Sequence, residues 1–233
     1  FQMRIAAVEF APVDGSEANI EAARAAMFSI VGNHFWNNTW FADPMFFGRY
    51  PGDGLAMWEQ HLPAGWEADL ETIRQPLDFY GANIYNSQLI RATPDGGFEP
   101  VKPAKGPPLT SMDWKMTPEA LYWGPRFLHE RYGLPIIVTE NGMGNNDWVQ
   151  LDGRVRDPQR IDFLARYLTA IGDAVREGVP VLGYMQWCWT DNFEWAKGYS
   201  RRFGLVHVDF ATQKRTLKDS ALWYREVIRR GAE

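Results

Sequence analysis

The chain has 233 residues, with 24 Lys and Arg against 29 Asp and Glu, so its net charge is −5 with histidine neutral. No basic run stands out, which argues against nucleic-acid binding, and no apolar stretch approaches the length of a membrane-spanning helix. Hydrophobic residues make up 45% of the chain and charged residues 23%, a composition that favours a folded core. A single cysteine, Cys188, excludes an internal disulfide and fits a reducing compartment, so we expect a cytoplasmic protein.

Two further features of the sequence are unusual. Aromatic residues reach 15% of the chain, including 11 Trp, and Trp-rich chains often build surfaces that stack on sugars or other rings. The chain begins Phe1-Gln2-Met3-Arg4, with neither a start Met nor the pattern of a signal peptide. We therefore expect this sequence to start in the middle of a longer protein.

Four short apolar segments predict buried strands, because they are nearly continuous rather than alternating. They are Ile5–Phe10, Asp78–Ile84, Pro135–Thr139 and Val181–Trp187. A helical pattern follows each of them. The four patterns are Ile20, Ala23, Met27 and Val31 after the first strand, Thr117-Pro118 to Gly133 after the second, Asp157 to Gly178 after the third and Asp219 to Arg230 after the fourth.

The segments around these helices carry more detailed expectations. Gly124-Pro125 is expected to interrupt the second helix. The third helix has the clearest apolar stripe, formed by Ile161, Leu164, Ala165, Leu168, Ile171 and Val175. The segments 33–65 and 91–116 are predicted to be long aromatic loops, which in a compact fold are usually functional or disordered.

The alternation of strands and helices predicts an α/β fold with a parallel sheet. Four strand–helix units form either a small open sheet or half of a (β/α)₈ barrel, and the pattern alone does not choose between them. No shift in composition marks a second domain. Residues 1–233 are therefore expected to form a single domain.

Carboxylates follow two of the predicted strands. Glu140 comes directly after the third strand, where the active sites of parallel folds lie, although it is equally placed to be a turn residue before Asn-Gly. After the fourth strand, the segment 186–195 holds Asp191, Glu194 and three Trp. Trp faces stack on pyranose rings and carboxylates accept hydrogen bonds from hydroxyl groups, so this segment suits sugar recognition. The alternative is a Trp-rich hydrophobic corner with solvated acids.

Three other features suggest no chemistry of their own. The four histidines lack the spacing of metal ligands. Cys188 is expected to be a buried apolar thiol. Arg201-Arg202 is expected to be a solvated or capping pair rather than a phosphate site.

Four segments of the chain carry a specific resemblance to a known family. They are FADPMFFGRYP (41–51), PLDFYGANIYNS (76–87), LPIIVTENGMG (134–144) and GYMQWCWTDNFEWAKGYSRRFGLVHVDF (183–210). In content and order they resemble the family 1 glycoside hydrolases, the β-glucosidase family. The resemblance implies a (β/α)₈ TIM barrel, of which this chain supplies the fifth to eighth strand–helix units. It also implies a retaining β-glycosidase, in the first place a β-glucosidase, that needs no cofactor or metal.

The resemblance implies roles for individual residues. Glu140 matches the catalytic nucleophile, and Tyr85 matches the tyrosine that hydrogen-bonds it. The implied sugar-binding residues are Trp187 under the glycone, Glu194 and Trp195 at its outer hydroxyl groups, Trp114 in the loop after the sixth strand, and Asn83. Because Glu194 is present and a carboxylate repels a phosphate, the expected glycone is an unphosphorylated sugar such as glucose, fucose or galactose.

The acid/base carboxyl group of the family is missing, because its Asn-Glu-Pro motif belongs to the earlier half of the barrel. Glu99-Pro100 matches only by its letters, and Glu9, at a strand end, is either a substitute acid/base or a carboxylate lining the pocket. A half barrel exposes two strand edges and apolar layers, so we expect a complementary N-terminal half chain or self-association. The alternatives are a non-catalytic carbohydrate-binding half barrel, an inactive fragment, or a thioglycosidase, whose relatives dispense with the acid.

Overall fold

The computed structural model describes residues 4–6, 9–32, 34, 36–102 and 104–231. The strands are β1 (Arg4–Ala6), β2 (Glu9–Pro12), β3 (Tyr80–Asn83), β4 (Ser87–Ala92), β5 (Phe98–Pro100), β6 (Ile136–Asn141), β7 (Val181–Gln186), β8 (Val206–Val208) and β9 (Arg215–Leu217). The helices are α1 (Glu17–Phe28), α2 (Thr39–Phe47), α3 (Gly52–Trp58), α4 (Trp66–Ile73), α5 (Ala120–Tyr132), α6 (Pro158–Arg176) and α7 (Asp219–Gly231). None of the helices in this part of the chain combines the length and apolar character that crossing a bilayer requires.

The central feature is a parallel sheet with the strand order β1-β3-β6-β7. Ala82 on β3 pairs with Val138 on β6, which in turn pairs with Tyr184 on β7. The predicted parallel sheet is therefore confirmed. Since all four strands run in the same direction, their carboxyl ends meet along one edge, and the loops that leave that edge can share a site.

Two smaller sheets extend from the central one. Strand β2 pairs in parallel with β4, and β4 pairs antiparallel with β5. Strands β8 and β9 form an antiparallel hairpin. The predicted first strand Ile5–Phe10 is thus wrong as a single element, because β1 pairs with β3 whereas β2 pairs with β4, and residues 7 and 8 lie outside the described part of the chain.

The core is built on the buried faces of β3 and β6 and on helices α5 and α6. Ala82 and Val138 are completely buried, as is Phe127 of α5. Phe163 and Tyr167 of α6 stack with ring centroids 3.9 Å apart. Near-continuous apolar strands follow from this arrangement, because helices cover a parallel sheet and leave little room for polar residues.

The predicted loop over residues 33–65 is wrong in its described part, which contains α2 and α3. Three of its aromatic residues form a small second core, whereas Trp36 and Phe41 are exposed. Trp40 and Trp58 are buried with Ile30, and Trp40 stacks on Tyr50 with ring centroids 4.3 Å apart. The segment 91–116 is largely irregular, as predicted, apart from β4, which ends at Ala92, the short strand β5 and one isolated bridge.

Three helix predictions are also corrected. Helix α5 continues through Pro125, because packing of its buried face supports the turn in which proline removes a hydrogen bond. Helix α6 buries a face rotated from the predicted stripe, since its aromatic residues turn towards the sheet while Val175 is exposed. The first helix ends at Phe28, which leaves Val31 outside it and exposed.

Candidate active site

Glu140 lies at the carboxyl end of β6, in the interior of the central sheet, with 9% of its surface exposed. Tyr85, just beyond β3, donates its hydroxyl to Glu140 Oε2 at 2.6 Å. The backbone N–H of Ile84 donates to the Glu140 carbonyl oxygen at 2.9 Å, which ties the two strand ends together. A hydrogen bond to the carboxylate favours its charged form, so the pairing suits a carboxylate that must stay ionised.

Asn141 fixes this strand end from the other side. Its Nδ2 donates to the Ile84 carbonyl oxygen at 2.8 Å, and its Oδ1 accepts from the Tyr184 hydroxyl at 2.8 Å. Burial raises the pKa of Tyr184, so that phenol keeps its proton and remains a donor. Neither Asn141 nor Tyr184 was among the residues predicted from the sequence. The available signal was the amide at the end of an apolar strand, because a buried amide needs partners on both sides.

Asn83 and Trp114 are placed next to the Glu140–Tyr85 pair. Asn83 lies opposite Glu140 in the strand register, and its Oδ1 accepts from the Thr139 hydroxyl at 2.8 Å. The Trp114 ring lies 5.2 Å from the Tyr85 ring, measured between centroids. The structure therefore brings Glu140, Tyr85, Asn83 and Trp114 into one cluster.

Trp187 joins this cluster through its backbone. Its N–H donates to the Asn141 carbonyl oxygen at 2.8 Å, and a Cβ on Gly142 would collide with the Trp187 carbonyl oxygen. The peptide bond between Trp187 and Cys188 is cis. The loop that follows β7, residues 187–205, is called the sugar loop below after its predicted role, and it starts in backbone contact with β6.

Cys188 is a buried thiol, as predicted. Its Sγ–H donates to the Thr190 carbonyl oxygen at 3.0 Å. Burial raises the pKa of Cys188 to about 12, so the thiol keeps its proton at neutral pH. The residue therefore has the setting of a packed side chain rather than of a nucleophile.

Glu194 and Trp195 lie at the far end of the sugar loop. Glu194 is half-buried, and burial raises its pKa, whereas Trp195 is 81% exposed. The Glu194 N–H donates to the Gly198 carbonyl oxygen at 2.7 Å, which closes a tight turn. The tip of the loop is therefore ordered by its own backbone but open to solvent, in contrast to the enclosed Glu140 end.

Asp191 is not a sugar-facing carboxylate, which corrects the expectation for the segment 186–195. It is buried and accepts from Arg202 Nη1 at 2.6 Å and from Lys218 Nζ at 2.8 Å. The N–H of Gly204 also donates to it, at 3.0 Å. Its oxygens are taken by groups inside the protein, and the same contacts show that Arg202 is not a solvated surface charge.

Glu9 is a buried carboxylate rather than one exposed to the loops at the end of the sheet. It is 3% exposed and packs against helix α5, where a Cβ added to Gly124 would lie 2.7 Å from its carboxyl carbon. Neither of its oxygens has a hydrogen-bond partner among the described residues. Burial raises the pKa of Glu9 to about 8. Glu99, the other candidate, is exposed on β5 and lies 3.9 Å from Arg91.

Comparisons with known proteins agree with this geometry. The model of glycosyl hydrolase family 1 matches residues 5–232. Beta-glucosidase A of Thermotoga maritima is 38% identical over 221 residues, which cover 94% of this chain and 48% of that protein. Beta-glucosidase A of Acetivibrio thermocellus is 39% identical over 227 residues, with the same coverage of 94% and 48%.

A solved structure gives the same result. The beta-glucosidase from Thermotoga maritima in complex with castanospermine superposes with a TM-score of 0.80 at 37% identity, over 98% of this chain and 50% of that one. The chain spans about half the length of the relatives it matches. Its four parallel strands with their helices are accordingly half of a (β/α)₈ barrel, the fifth to eighth units. The chain belongs to glycosyl hydrolase family 1.

Proposed function

We propose that this chain supplies the nucleophile half of a retaining β-glycosidase, in the first place a β-glucosidase. The observation that carries the proposal is the enclosed Glu140 carboxylate at the carboxyl end of β6, with the Tyr85 hydroxyl 2.6 Å from its Oε2. The relatives named as beta-glucosidases support the choice of substrate class.

In the proposed reaction, a Glu140 oxygen attacks the anomeric carbon, the bond to the aglycone oxygen breaks, and a glycosyl ester forms on Glu140. A carboxyl group about 5–5.5 Å away gives its proton to the leaving oxygen and later takes a proton from the water that cleaves the ester. We assign that acid to a complementary half of the barrel. Tyr85 holds Glu140 in the ionised form that attack requires.

We assign the sugar contacts to five residues. Trp187 begins the sugar loop beside the nucleophile strand and would stack under the glycone. Glu194 and Trp195, at the tip of the same loop, would bind its outer hydroxyl groups, with Asn83 and Trp114 around the reacting carbon. A carboxylate at position 194 suits a neutral hydroxyl group and repels a phosphate, so the glycone is an unphosphorylated sugar.

The partner is a second half barrel. Strand β7 is an edge of the central sheet in the described part of the chain, and Leu182 and Met185 on it are exposed. Beside this edge lies an apolar groove of 540 Å³, whose walls include Leu217 and Ile228 of the β8–β9 hairpin and α7. A parallel strand followed by a helix would pair with the edge and fill the groove. We propose a complementary N-terminal half as the occupant, with a second copy of this chain as the alternative.

Two further assignments complete the proposal. We treat residues 1–233 as one domain, supported by a core that runs from α1 through the central sheet to α6. We place the protein in the cytoplasm, supported by its single, buried thiol, Cys188.

The decisive experiment uses a fluorinated glucoside with a dinitrophenolate leaving group. Such a leaving group departs without a proton, so the missing acid is not needed and the 233-residue chain can be tested alone. We expect the intact mass to rise by one fluoroglucosyl group, carried on the peptide that contains Glu140. Glu140→Gln should not be labelled, whereas the matched control Glu99→Gln, at an exposed site on β5, should be labelled like the wild type.

The complete reaction needs the second carboxyl group. With the complementary half present, nitrophenyl β-glucoside should turn over, and Glu140→Gln should lower kcat by at least about a thousandfold. Labelling at another carboxylate, or full turnover by Glu140→Gln, would contradict the assignment. Glucose binding without labelling would support the carbohydrate-binding half barrel instead, and hydrolysis of a thioglucoside alone would support a thioglycosidase.

A further inference from the structure

Beneath the sugar loop lies a cluster of buried charges, which we call the ion cluster. Its members are Asp147, Asp157, Arg160, Asp191, Arg202 and Lys218. The side chains of Arg160 and Lys218 are fully buried. The three positive and three negative charges come from the segment after β6, the start of α6, the sugar loop and the residue before α7.

Lys218 makes the connection between the two loops that joins their buried carboxylates. Its Nζ lies 2.6 Å from Asp147 Oδ2 and 2.8 Å from Asp191 Oδ1. Its backbone N–H donates to the Leu205 carbonyl oxygen at 3.0 Å. One ammonium group therefore joins the segment that follows the nucleophile strand to the loop that carries the sugar contacts.

The Asp147 side of this connection is anchored to the sheet and to α6. Arg160 Nη2 donates to Asp147 Oδ2 at 2.7 Å, and Asn145 Nδ2 donates to Asp147 Oδ1 at 2.9 Å. Asn145 lies only a few residues beyond Glu140, and its N–H donates to the Arg202 carbonyl oxygen at 3.0 Å. Asp147 is thus a fixed point relative to the nucleophile.

The Asp191 side sets the shape of the sugar loop. Asp191 lies in the chain between Trp187 and Glu194, and its carboxylate draws Gly204 and Arg202 from the returning half of the loop towards it. A Cβ on Gly204 would collide with the Asp191 backbone, so the two halves are in direct contact. The position of Asp191 therefore determines where the tip with Glu194 and Trp195 lies.

We propose that Lys218 is a positioning residue for sugar recognition, which by binding Asp147 and Asp191 together holds the outer-hydroxyl contacts at a fixed place relative to Glu140. The inference rests on the proposed function. Without the ammonium group, Asp147 keeps Arg160 and Asp191 keeps Arg202, but no cation lies between the two buried carboxylates. They repel each other, so the sugar loop moves away from the nucleophile segment. Contacts at the loop tip suffer most, whereas the Glu140–Tyr85 pair, held by the strand ends, stays in place.

The test measures selectivity rather than activity alone. The probes are deoxynojirimycin, an iminosugar with glucose-like hydroxyl groups, and its xylose-configured analogue, which lacks the hydroxymethyl group at the outer end. Their dissociation constants are measured by calorimetry on the wild-type chain, Lys218→Met, Lys218→Arg and the control Arg131→Met. Arg131 also pairs with a buried aspartate, Asp43 at 2.6 Å, but at the end of α5 that leads into the amino end of β6.

We expect Lys218→Met to reduce the preference for the glucose-configured ligand by about tenfold, because charge-assisted contacts at the outer hydroxyl groups are lost. Lys218→Arg should restore part of the preference, and Arg131→Met should leave it unchanged. A merely structural role would weaken both ligands equally. If Lys218→Met does not fold, Asp147→Asn is the second variant. It has nearly the same shape but removes one of the two ion pairs of Lys218, together with the Arg160–Asp147 pair, and a loss in the same direction is expected.

The outcomes separate the two proposals. A folded Lys218→Met or Asp147→Asn with the wild-type preference overturns the positioning role and leaves the proposed function intact. A wild-type chain that binds neither ligand overturns the sugar site and, with it, the inference. Loss of preference in Arg131→Met as well would show that any destabilisation produces the effect, which also overturns the inference.

Discussion

Asp147 and Glu9 are both buried carboxylates, yet their surroundings lead to opposite charge states. For Asp147, burial alone would raise the pKa, but the charges of Arg160 and Lys218 outweigh it and lower the pKa. Glu9 has no partner among the described residues, and burial raises its pKa to about 8. The cations beside a carboxylate, rather than its depth, therefore decide whether it stays ionised inside this protein.

The two carboxylates also differ in what they can do for the protein. The ion cluster around Asp147 lies where the loops of the proposed site leave the sheet, so its contacts order those loops. Glu9 is the first residue of β2, and its carboxyl group packs against Gly124 of α5. The ion cluster uses buried ion pairs to hold two loops in place. Glu9 is a neutral acid in the core, and its effect on the free energy of unfolding depends on pH.

Removing a cation from the ion cluster should have the largest effect on stability. Arg160→Met leaves Asp147 and Asp157 without a guanidinium partner in the interior, which should lower the free energy of unfolding by about 3–5 kcal/mol. Urea denaturation measures the change. Arg156→Met is the matched control, because Arg156 pairs with Asp152 at an exposed site and its loss should produce no measurable change. Equal stability of the two variants would contradict the comparison.

Replacing Glu9 by a neutral residue should change the pH dependence of stability. The pKa of Glu9 is raised from 4.5 to about 8, so its contribution to stability is complete below pH 4.5 and is lost as the pH rises through 8. Near pH 7, the loss should amount to about 3 kcal/mol. Thermal or urea unfolding between pH 5 and pH 8 should therefore show a decline in the wild type that is absent in Glu9→Gln. The same decline in both proteins would rule out Glu9 as its source, and Glu99→Gln should behave like the wild type.

Crowding Glu9 should have a smaller effect. In Gly124→Ala the new methyl group would lie 2.7 Å from the Glu9 carboxyl carbon, which should cost about 1–3 kcal/mol of stability. Gly172→Ala, in the middle of α6, meets only the end of the Arg176 side chain at 3.4 Å and should instead stabilise the helix by up to about 1 kcal/mol. Chemical denaturation of the two variants measures the difference in their free energies of unfolding. Adding Glu9→Ala to Gly124→Ala should restore the lost stability. A Gly124→Ala variant as stable as the wild type would show that the Glu9 carboxyl group does not pack against Gly124.

The parts of the fold that depend on local pattern were predictable. Continuous apolar segments located β3, β6 and β7, and Asp157-Pro158 marked the start of α6. The region 39–58 was not, because Trp40, Tyr50 and Trp58 look alike in a loop and in a helix that packs on aromatic neighbours. Strands β1 and β2 belong to different sheets because they pair with different distant strands, β3 and β4. The local sequence does not encode that choice of partner.

The proposed site divides in the same way. Glu140 stood out because a carboxylate ends an apolar strand, and the aromatic segment after β7 stood out by composition. The roles of Asp191 and Lys218 were not predictable, because their partners are distant in the chain. A lone lysine between Leu217 and Asp219 resembles any solvated residue. Only the three-dimensional structure shows that Lys218 is fully buried between two aspartates.

The order of the ion cluster along the chain has a consequence for synthesis. Asp147, Asp157, Arg160, Asp191 and Arg202 all leave the ribosome before Lys218 does. Until then, the cluster holds three negative charges against two positive ones, and Asp147 and Asp191 lack the cation that pairs with both of them. Strand β6, which carries Glu140, and strand β3, which ends just before Tyr85, can pair earlier, since both precede the cluster. The pairing of β3 with β6 can therefore precede the closing of the ion cluster, which is complete only when Lys218 has been made.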